Sequence, residues 1–266
     1  MKSKETVLVL PDSQNGFRGD KPLHDRNVWE AAVRLAESVQ PDYVVLLGDM
    51  VDFSTLTRKF RTEADLVGKM GQTIAETRWW LRRLRDASPS SKRKYLAGNH
   101  EQRLSNTIID ANRDLQDLVT IEGLLELGTD YQYIGPYGRT WEHRDVIYTH
   151  GDKYAKYGGA TCAKYLAEHP KSIVFGHCHK REYADRTYYG RTRFAASPGT
   201  MAVIDGLVPG NSCYPDWSQG LALVHYKRGF DPIYESVKYS DRHIFMRGEV
   251  LPVRHDDKAR KKELGF

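Results

Sequence analysis

The sequence predicts an α/β layered sandwich of two mixed β-sheets flanked by helices, in one domain over residues 1–266. Three observations predict it. The continuous apolar runs at residues 7–10 and 43–47 have the texture of strands covered on both faces. Between them, Val28, Ala31, Ala32, Leu35 and Val39 recur at helical spacing, so strand, helix and strand form a βαβ unit. Beyond Gly128 the texture changes to short strands, which suggests a parallel half followed by a mixed or antiparallel half.

In order along the chain, residues 6–10 form a buried strand, and the helix over residues 28–39 is ended by Pro41. Residues 43–47 form a second strand. Over residues 65–86, Leu66, Met70, Ile74, Leu81 and Leu84 fall about every fourth position, which predicts a long amphipathic helix with Arg78, Arg82, Arg83 and Arg85 on its other face. A short strand over 94–97 follows, then a mainly helical stretch over 101–127 with Gly123 and Gly128 as stops. Strands are expected at 146–149, 172–175, in alternating pieces through 182–195 and at 221–225, with a helix over 159–168 among them. No repeat, low-complexity segment or linker divides the chain.

Composition sets outer bounds. With 40% hydrophobic and 28% charged residues and no apolar run near the ~18 residues of a membrane span, a membrane protein is not expected. The apolar run in MKSKETVLVLPD is broken by Asp12 and lacks a small-residue cleavage site, so a cytoplasmic location without a signal peptide is expected. Cys162, Cys178 and Cys213, an odd number without paired spacing, fit reduced thiols. The net charge of +5 permits an anionic substrate without demanding one. Basic residues cluster in RWWLRRLR, residues 78–85, and in residues 258–262.

The chemistry sits where the strands end. Asp12-Ser13-Gln14, Gly48-Asp49-Met50-Val51-Asp52, Gly98-Asn99-His100-Glu101, His150-Gly151-Asp152 and Gly176-His177-Cys178-His179 each follow an apolar strand. Loops leaving the carboxyl ends of α/β strands converge, so these residues share a neighbourhood. A lone Asp there is more often a turn or cap residue, and a lone His a hydrogen-bonded one. That explanation fails for the whole set, with glycines where backbones must approach closely. Carboxylates, an amide oxygen and imidazoles suit a pair of hard or borderline divalent ions such as Mn, Mg, Fe or Zn. In an extended His177-Cys178-His179, Cys178 points away from both histidines and is a small buried filler.

The ordered set DSQ, GDMVD, GNHE, THGD and GHCH spans Asp12 to His179, about two thirds of the chain, and resembles the signature of the calcineurin-like metallophosphoesterases. The resemblance implies a dinuclear metal site at strand carboxyl ends and hydrolysis of a phosphate ester by a metal-activated water. It implies that Asp49 bridges the two ions, that Asp12, Gln14 and His179 complete one shell, and that Asn99, His150 and His177 complete the other. His100 would protonate the leaving-group oxygen, oriented by Asp52. Most relatives have His where Gln14 stands. An amide oxygen is a harder and weaker donor than imidazole, so Mn is expected first, then Mg, with Fe, Ni or Zn as further choices. The alternative is that Gln14 only hydrogen-bonds a metal-bound water.

The same resemblance bears on the ester. Protein phosphatases of the family usually continue GDxVD with Arg-Gly, where this chain has Phe53-Ser54. A dianionic monoester gains most from such a guanidinium clamp, so its absence points to a phosphodiester of a nucleotide, a cyclic nucleotide or nucleic acid. A phosphomonoesterase is the alternative, and a non-catalytic binding protein on this fold a third reading. Nucleases of the family that act in DNA-break repair carry larger additions after the metal core, so a compact stand-alone phosphodiesterase is expected. GNHEQRL also resembles members carried by bacteriophages. Arg103 is the candidate substitute for the missing clamp, against the usual fate of an exposed arginine as a solvated charge. Tyr154 and Tyr157 are candidates to line the substrate groove. RWWLRRLR either contacts nucleic acid or presents a tryptophan to the core and a solvated basic face.

Overall fold

A computed structural model describes residues 3–56, 68–208 and 216–265. Leu66, the first turn expected of its helix, and Cys213 lie outside the described residues. The elements are β1 (Lys4–Leu10), β2 (Phe17–Arg18), β3 (Lys21–Pro22), α1 (Arg26–Val39), β4 (Tyr43–Leu46), α2 (Met70–Ala87), β5 (Lys92–Leu96), α3 (Asn99–Ala111), α4 (Ile121–Leu124), β6 (Tyr131–Ile134), β7 (Thr140–His143) and β8 (Val146–Thr149). They continue with α5 (Ala160–Glu168), β9 (Ser172–Phe175), β10 (Arg181–Tyr188), β11 (Arg191–Pro198), β12 (Gly220–Lys227), β13 (Ile233–Ser240), β14 (His243–Met246), β15 (Glu249–Pro252) and α6 (Asp257–Leu264).

Strand alternation sets the layers. Val7 and Val9 of β1, with Val45 and Leu47, pack against Val146, Tyr148, Val174 and Phe194 of a second sheet. Leu8 and Leu10, with Val44 and Leu46, instead meet Val28, Trp29, Ala32, Trp80 and Leu84 of α1 and α2. On the far side Ile173 and Phe175 turn outward to Cys162 and Tyr165 of α5. The stack is therefore helix, sheet, sheet, helix, the expected sandwich of two mixed sheets.

The larger sheet runs β15-β14-β13-β12-β1-β4-β5-β6 and the smaller β10-β11-β9-β8-β7. β1, β4, β5 and β6 are mutually parallel, and β12 is antiparallel to β1 from Lys4↔Lys227 to Val9↔Ala222. Of the residues after His179, much is expected from the sequence to finish the second sheet. Only β10 and β11 do so, whereas β12 to β15 extend the first. The run from Leu221 to Val224 is buried throughout, and a strand buried on both faces belongs beside β1, between helices and the second sheet.

Residues 101–127 are less helical than expected. α3 stops at Ala111, where the Asn112 side chain accepts from the Asp114 backbone N–H and starts a 3-10 turn, and Thr120 caps the four-residue α4 in the same manner. The four-residue strands β6, β7, β14 and β15 are too short to stand out in the sequence, and the eight-residue β13 is also absent from the expected strands.

The basic stretch in α2 resolves in favour of packing. Trp79 and Trp80 are both buried, and Trp80 stacks on Trp29 at 5.6 Å between centroids. Arg83 pairs with Glu30 at 2.6 Å, Arg78 with Glu126 at 2.7 Å, and Arg85 with Asp86 and Asp130 at 2.8 and 2.9 Å. These arginines hold elements together.

Glu76, fully buried in α2, accepts from His24 Nε2 at 2.9 Å, Arg26 Nε at 2.7 Å and Arg260 Nη1 at 2.9 Å, which ties α6 to the helical layer. Removing the anion strands buried Arg260, so Glu76→Ala is expected to destabilise by about 3–5 kcal/mol in urea unfolding. A loss below about 1 kcal/mol would mean that the cations regain water without it.

Candidate metal and catalytic centre

Loops after β1, β4, β5, β8 and β9 converge because the glycines let backbones touch. A Cβ on Gly98 would lie 2.1 Å from Asp49 Oδ1, and one on Gly176 2.5 Å from Asp12 Oδ2. Gly48, at φ +99°, would clash with the Gly98 nitrogen at 2.5 Å. The turns are sharp enough to hold Gln14, Asp49, His177 and His179 at φ 52°, 51°, 64° and 57°, in the left-handed region. Such conformations cost about 1–3 kcal/mol each and persist where surroundings over-determine them. They also correct two expectations. The i, i+2 spacing of Asp12 and Gln14 predicts that both lie on one side of an extended segment, but β1 ends at Leu10 and Gln14 is left-handed. His177-Cys178-His179 is likewise not extended, although Cys178 does turn away from the site, with Sγ 3.4 Å from Ser197 Oγ. Burial pushes its thiol up to about 12.

Glu101 underpins this arrangement, and the sequence reading assigned it no role beyond its motif. Its carboxylate accepts from the backbone N–H of Asp49 at 2.8 Å, Met50 at 2.9 Å, Val51 at 3.3 Å and Gly98 at 2.9 Å, and from Tyr95 OH at 2.9 Å. It caps α3 and holds the Asp49 turn at once. The available signal is its place three residues after Gly98, the capping-box spacing.

Among the described residues, Asp49, His150 and His177 form one group able to hold a metal ion, and Asp12, Asp49 and His179 another, with ligand atoms within 4.8 Å of one another. His150 Nδ1 donates to the Leu47 carbonyl at 3.0 Å. In the neutral ring Nε2 is then a bare lone pair, 3.0 Å from Asn99 Oδ1 and 3.4 Å from Asp49 Oδ2. His177 Nδ1 also lies 3.0 Å from Asn99 Oδ1. Asp12 accepts from the His177 backbone N–H at 3.0 Å and lies 3.1 Å from His179 Nε2. Gln14 is fully buried, with Nε2 3.2 Å from Asp49 Oδ2 and Oε1 without a hydrogen-bond partner. Gathered acceptors and an orphaned buried amide oxygen are a polarity that a cation satisfies, so the donor set fits two divalent ions. Charge states agree: burial, then the neighbouring His150, pushes His177 down to about 4, leaving its lone pair free. Burial would raise Asp49, but the neighbouring His100, in first place, outweighs it and holds the carboxyl below its ordinary range.

His100 faces this cluster from the start of α3. Its Nδ1 donates to the Asp52 carbonyl at 2.6 Å and lies 3.4 Å from the Asp52 carboxylate, and Nε2 is 3.5 Å from Asp49 Oδ2. Burial disfavours its charge, yet Asp49 and Asp52 more than offset this, so its pKa is raised. Arg103 lies behind the ring, donating to the Asp52 carbonyl at 3.1 Å and Ser54 Oγ at 3.3 Å, with Nη1 2.8 Å from His100 Nδ1. The Tyr154 ring lies 4.3 Å from Nζ of Lys180, the neighbour of His179, and that buried lysine also donates to the Ala155 carbonyl at 2.9 Å. Tyr157 is exposed. Two aromatic neighbours escaped the sequence reading, Trp217 at 4.0 Å from His179 and Tyr137 at 5.7 Å from His150, because no motif marks them.

A two-sheet sandwich whose strand-end loops gather carboxylates and imidazoles about a shared aspartate defines a metal-binding hydrolase class. The chain belongs to the calcineurin-like phosphoesterase family, whose family model matches residues 6–189. It is thus a metallophosphoesterase by family, with a phosphoester as the class of substrate. A comparison with curated proteins found no match. Among the described residues no helix is long and apolar enough to cross a membrane.

Proposed function

We propose that the protein is a dinuclear-metal phosphodiesterase acting on nucleotide, cyclic-nucleotide or nucleic-acid diesters. The observation that carries this reading is the occupation of the clamp position: Phe53 is buried and apolar where a monoester specialist would extend a guanidinium, and the Arg103 guanidinium is held by Asp52 and Ser54 behind His100. A dianionic phosphate lacks its matching fork there, whereas a monoanionic diester has less need of it.

In this reading Asp49 serves both ions, Asp12, Gln14 and His179 hold one, and Asn99, His150 and His177 hold the other. Two bound divalent ions supply Lewis acidity and a lowered pKa for water. The remaining work falls to the chain. His100, whose protonated form Asp49 and Asp52 favour, presents Nε2 at the edge of the cluster to donate a proton to the departing oxygen. Glu101 holds Asp49 in its strained turn. Residues 1–266 act as one domain, supported by β12 pairing directly with β1. The buried free thiols of Cys162 and Cys178 suit a cytoplasmic setting.

The test is a pair of chromogenic substrates with metal-free protein reconstituted by Mn, Mg, Fe, Ni or Zn. The bis-nitrophenyl diester is expected to show the higher kcat/KM, with Mn best. A faster monoester would establish the phosphomonoesterase alternative, and no turnover with any metal would sink the enzyme reading. Gln14→His, which gives imidazole in place of an amide, is expected to raise Zn retained after dialysis, measured as metal content. An unchanged metal content and preference would place Gln14 outside the ligand shell.

A further inference from the structure

We propose that the end of the sandwich opposite the metal centre is a binding groove for single-stranded nucleic acid. The proposal rests on the phosphodiesterase reading in naming such strands as the substrate class. Two cavities of about 490 and 500 Å³ lie side by side there and share Asp145, Arg191, Asp231 and Pro232 in their walls. They open between the β10–β11 turn, the β12–β13 turn and the amino end of β9, whereas the metal centre follows the carboxyl end of β9.

The groove is cationic. Asp231 is engaged by Arg191 Nε at 2.7 Å and by the Thr192 backbone N–H at 2.8 Å, and Asp145 lies 3.7 Å from Arg191 Nη2. With both wall carboxylates facing Arg191, Arg186, Lys227 and Arg228 remain exposed without an ion pair among the described residues. Aromatic rings stand among them. Tyr188 is 65% exposed and meets Tyr189 edge-on at 4.5 Å, and exposed Phe230 lies under Lys227 Nζ at 4.6 Å. Guanidinium groups that fork onto phosphates, interleaved with rings on which unpaired bases stack, are the chemistry that holds single strands. A duplex hides its base faces, and an acidic peptide offers carboxylates but no planar base, so the exposed rings favour a strand over either.

The groove also has a geometric use. β11 starts at Arg191 in the groove and ends at Pro198, and Thr200 just beyond donates to the Asp12 carbonyl at 2.8 Å. At ~3.3 Å per residue the strand separates Arg191 from the metal centre by roughly 25 Å, while Ser172, in the same wall at the start of the four-residue β9, lies nearer to it. A strand gripped at the groove has its more distant phosphates free to reach the metals, which raises their local concentration there.

The experiment is fluorescence anisotropy of a labelled strand of about 20 nucleotides, longer than the roughly 4–16 that one such site covers, in EDTA so that no hydrolysis intervenes. Arg186→Glu combined with Arg228→Glu is expected to weaken binding at least about 10-fold at fixed salt and to flatten the slope of log affinity against log salt by about 1.4, the share of two phosphate contacts. Tyr188→Ala is expected to weaken binding about 5- to 100-fold with the slope unchanged. Lys258→Glu with Lys262→Glu, at the other basic cluster, is expected to leave affinity within about twofold of wild type. No binding by the wild type at low salt, equal losses from the control pair, or equal affinity for a duplex or polyglutamate would overturn the groove. If the strand binds as expected while no ester is hydrolysed with any metal, the phosphodiesterase reading fails and the groove stands.

Discussion

His100→Ala is expected to keep both metal ions and to lose about 10²- to 10⁴-fold in turnover of diesters with poor leaving groups. The ring is not among the metal-competent groups of the centre, so its removal spares the ligands. What is lost is a proton donor whose pKa Asp49 and Asp52 raise despite burial. A nitrophenolate needs little protonation as it departs, so the same variant should hydrolyse the bis-nitrophenyl diester with a far smaller loss. The measurement is metal content together with rates across leaving groups of graded basicity, where the variant should show the steeper dependence. Wild-type turnover of an alkyl diester would remove His100 from the reaction.

Glu101→Ala is expected to lower stability by about 3–6 kcal/mol and to deplete the protein of metal. The backbone donors of Asp49, Met50, Val51 and Gly98 converge on this one carboxylate, and a buried donor left unsatisfied costs about 1–3 kcal/mol. At about 2–4 °C per kcal/mol for a chain of this size, the melting temperature should fall by roughly 6–24 °C. Without the anchor, the left-handed turn at Asp49 has no reason to persist, and the aspartate common to both candidate metal groups leaves its place. Glu101→Gln, which retains an acceptor but aims an amide N–H₂ at the same donors, should fall between. A melting temperature within about 2 °C of wild type would show that the turn is held by other means.

Much of the centre was legible because its chemistry is local in sequence. Asp12, Asp49 and Asn99 follow parallel strands of the larger sheet and His150, His177 and His179 follow parallel strands of the smaller one, and loops leaving the carboxyl ends of such strands converge. The helical and sheet layers were legible for a related reason: Val7 and Val9 against Leu8 and Leu10 encode two faces in one strand. The long helix was visible, but the role of its basic stretch was not, because periodicity cannot tell that Glu30, Glu126 and Asp130 wait opposite the arginines.

The remainder depends on residues far apart in the chain. Arg103 behind His100, Trp217 against His179 and Tyr137 against His150 are contacts that no spacing announces. The same is true of the cationic groove, where the cavities lined by Arg186 and by Arg228 adjoin only because turns from different sheets close on each other. The sequence by itself determined the sandwich, the family and the carboxylates and imidazoles that gather in the candidate centre, since strand pattern and motif are properties of neighbouring positions. Only the tertiary structure decided that β12 to β15 complete the first sheet, that Gln14 and the two histidines of GHCH sit in left-handed turns, and that Glu101 holds Asp49. Those outcomes are set by burial and by the pairing of backbone donors across more than fifty residues of chain, terms that no local pattern contains.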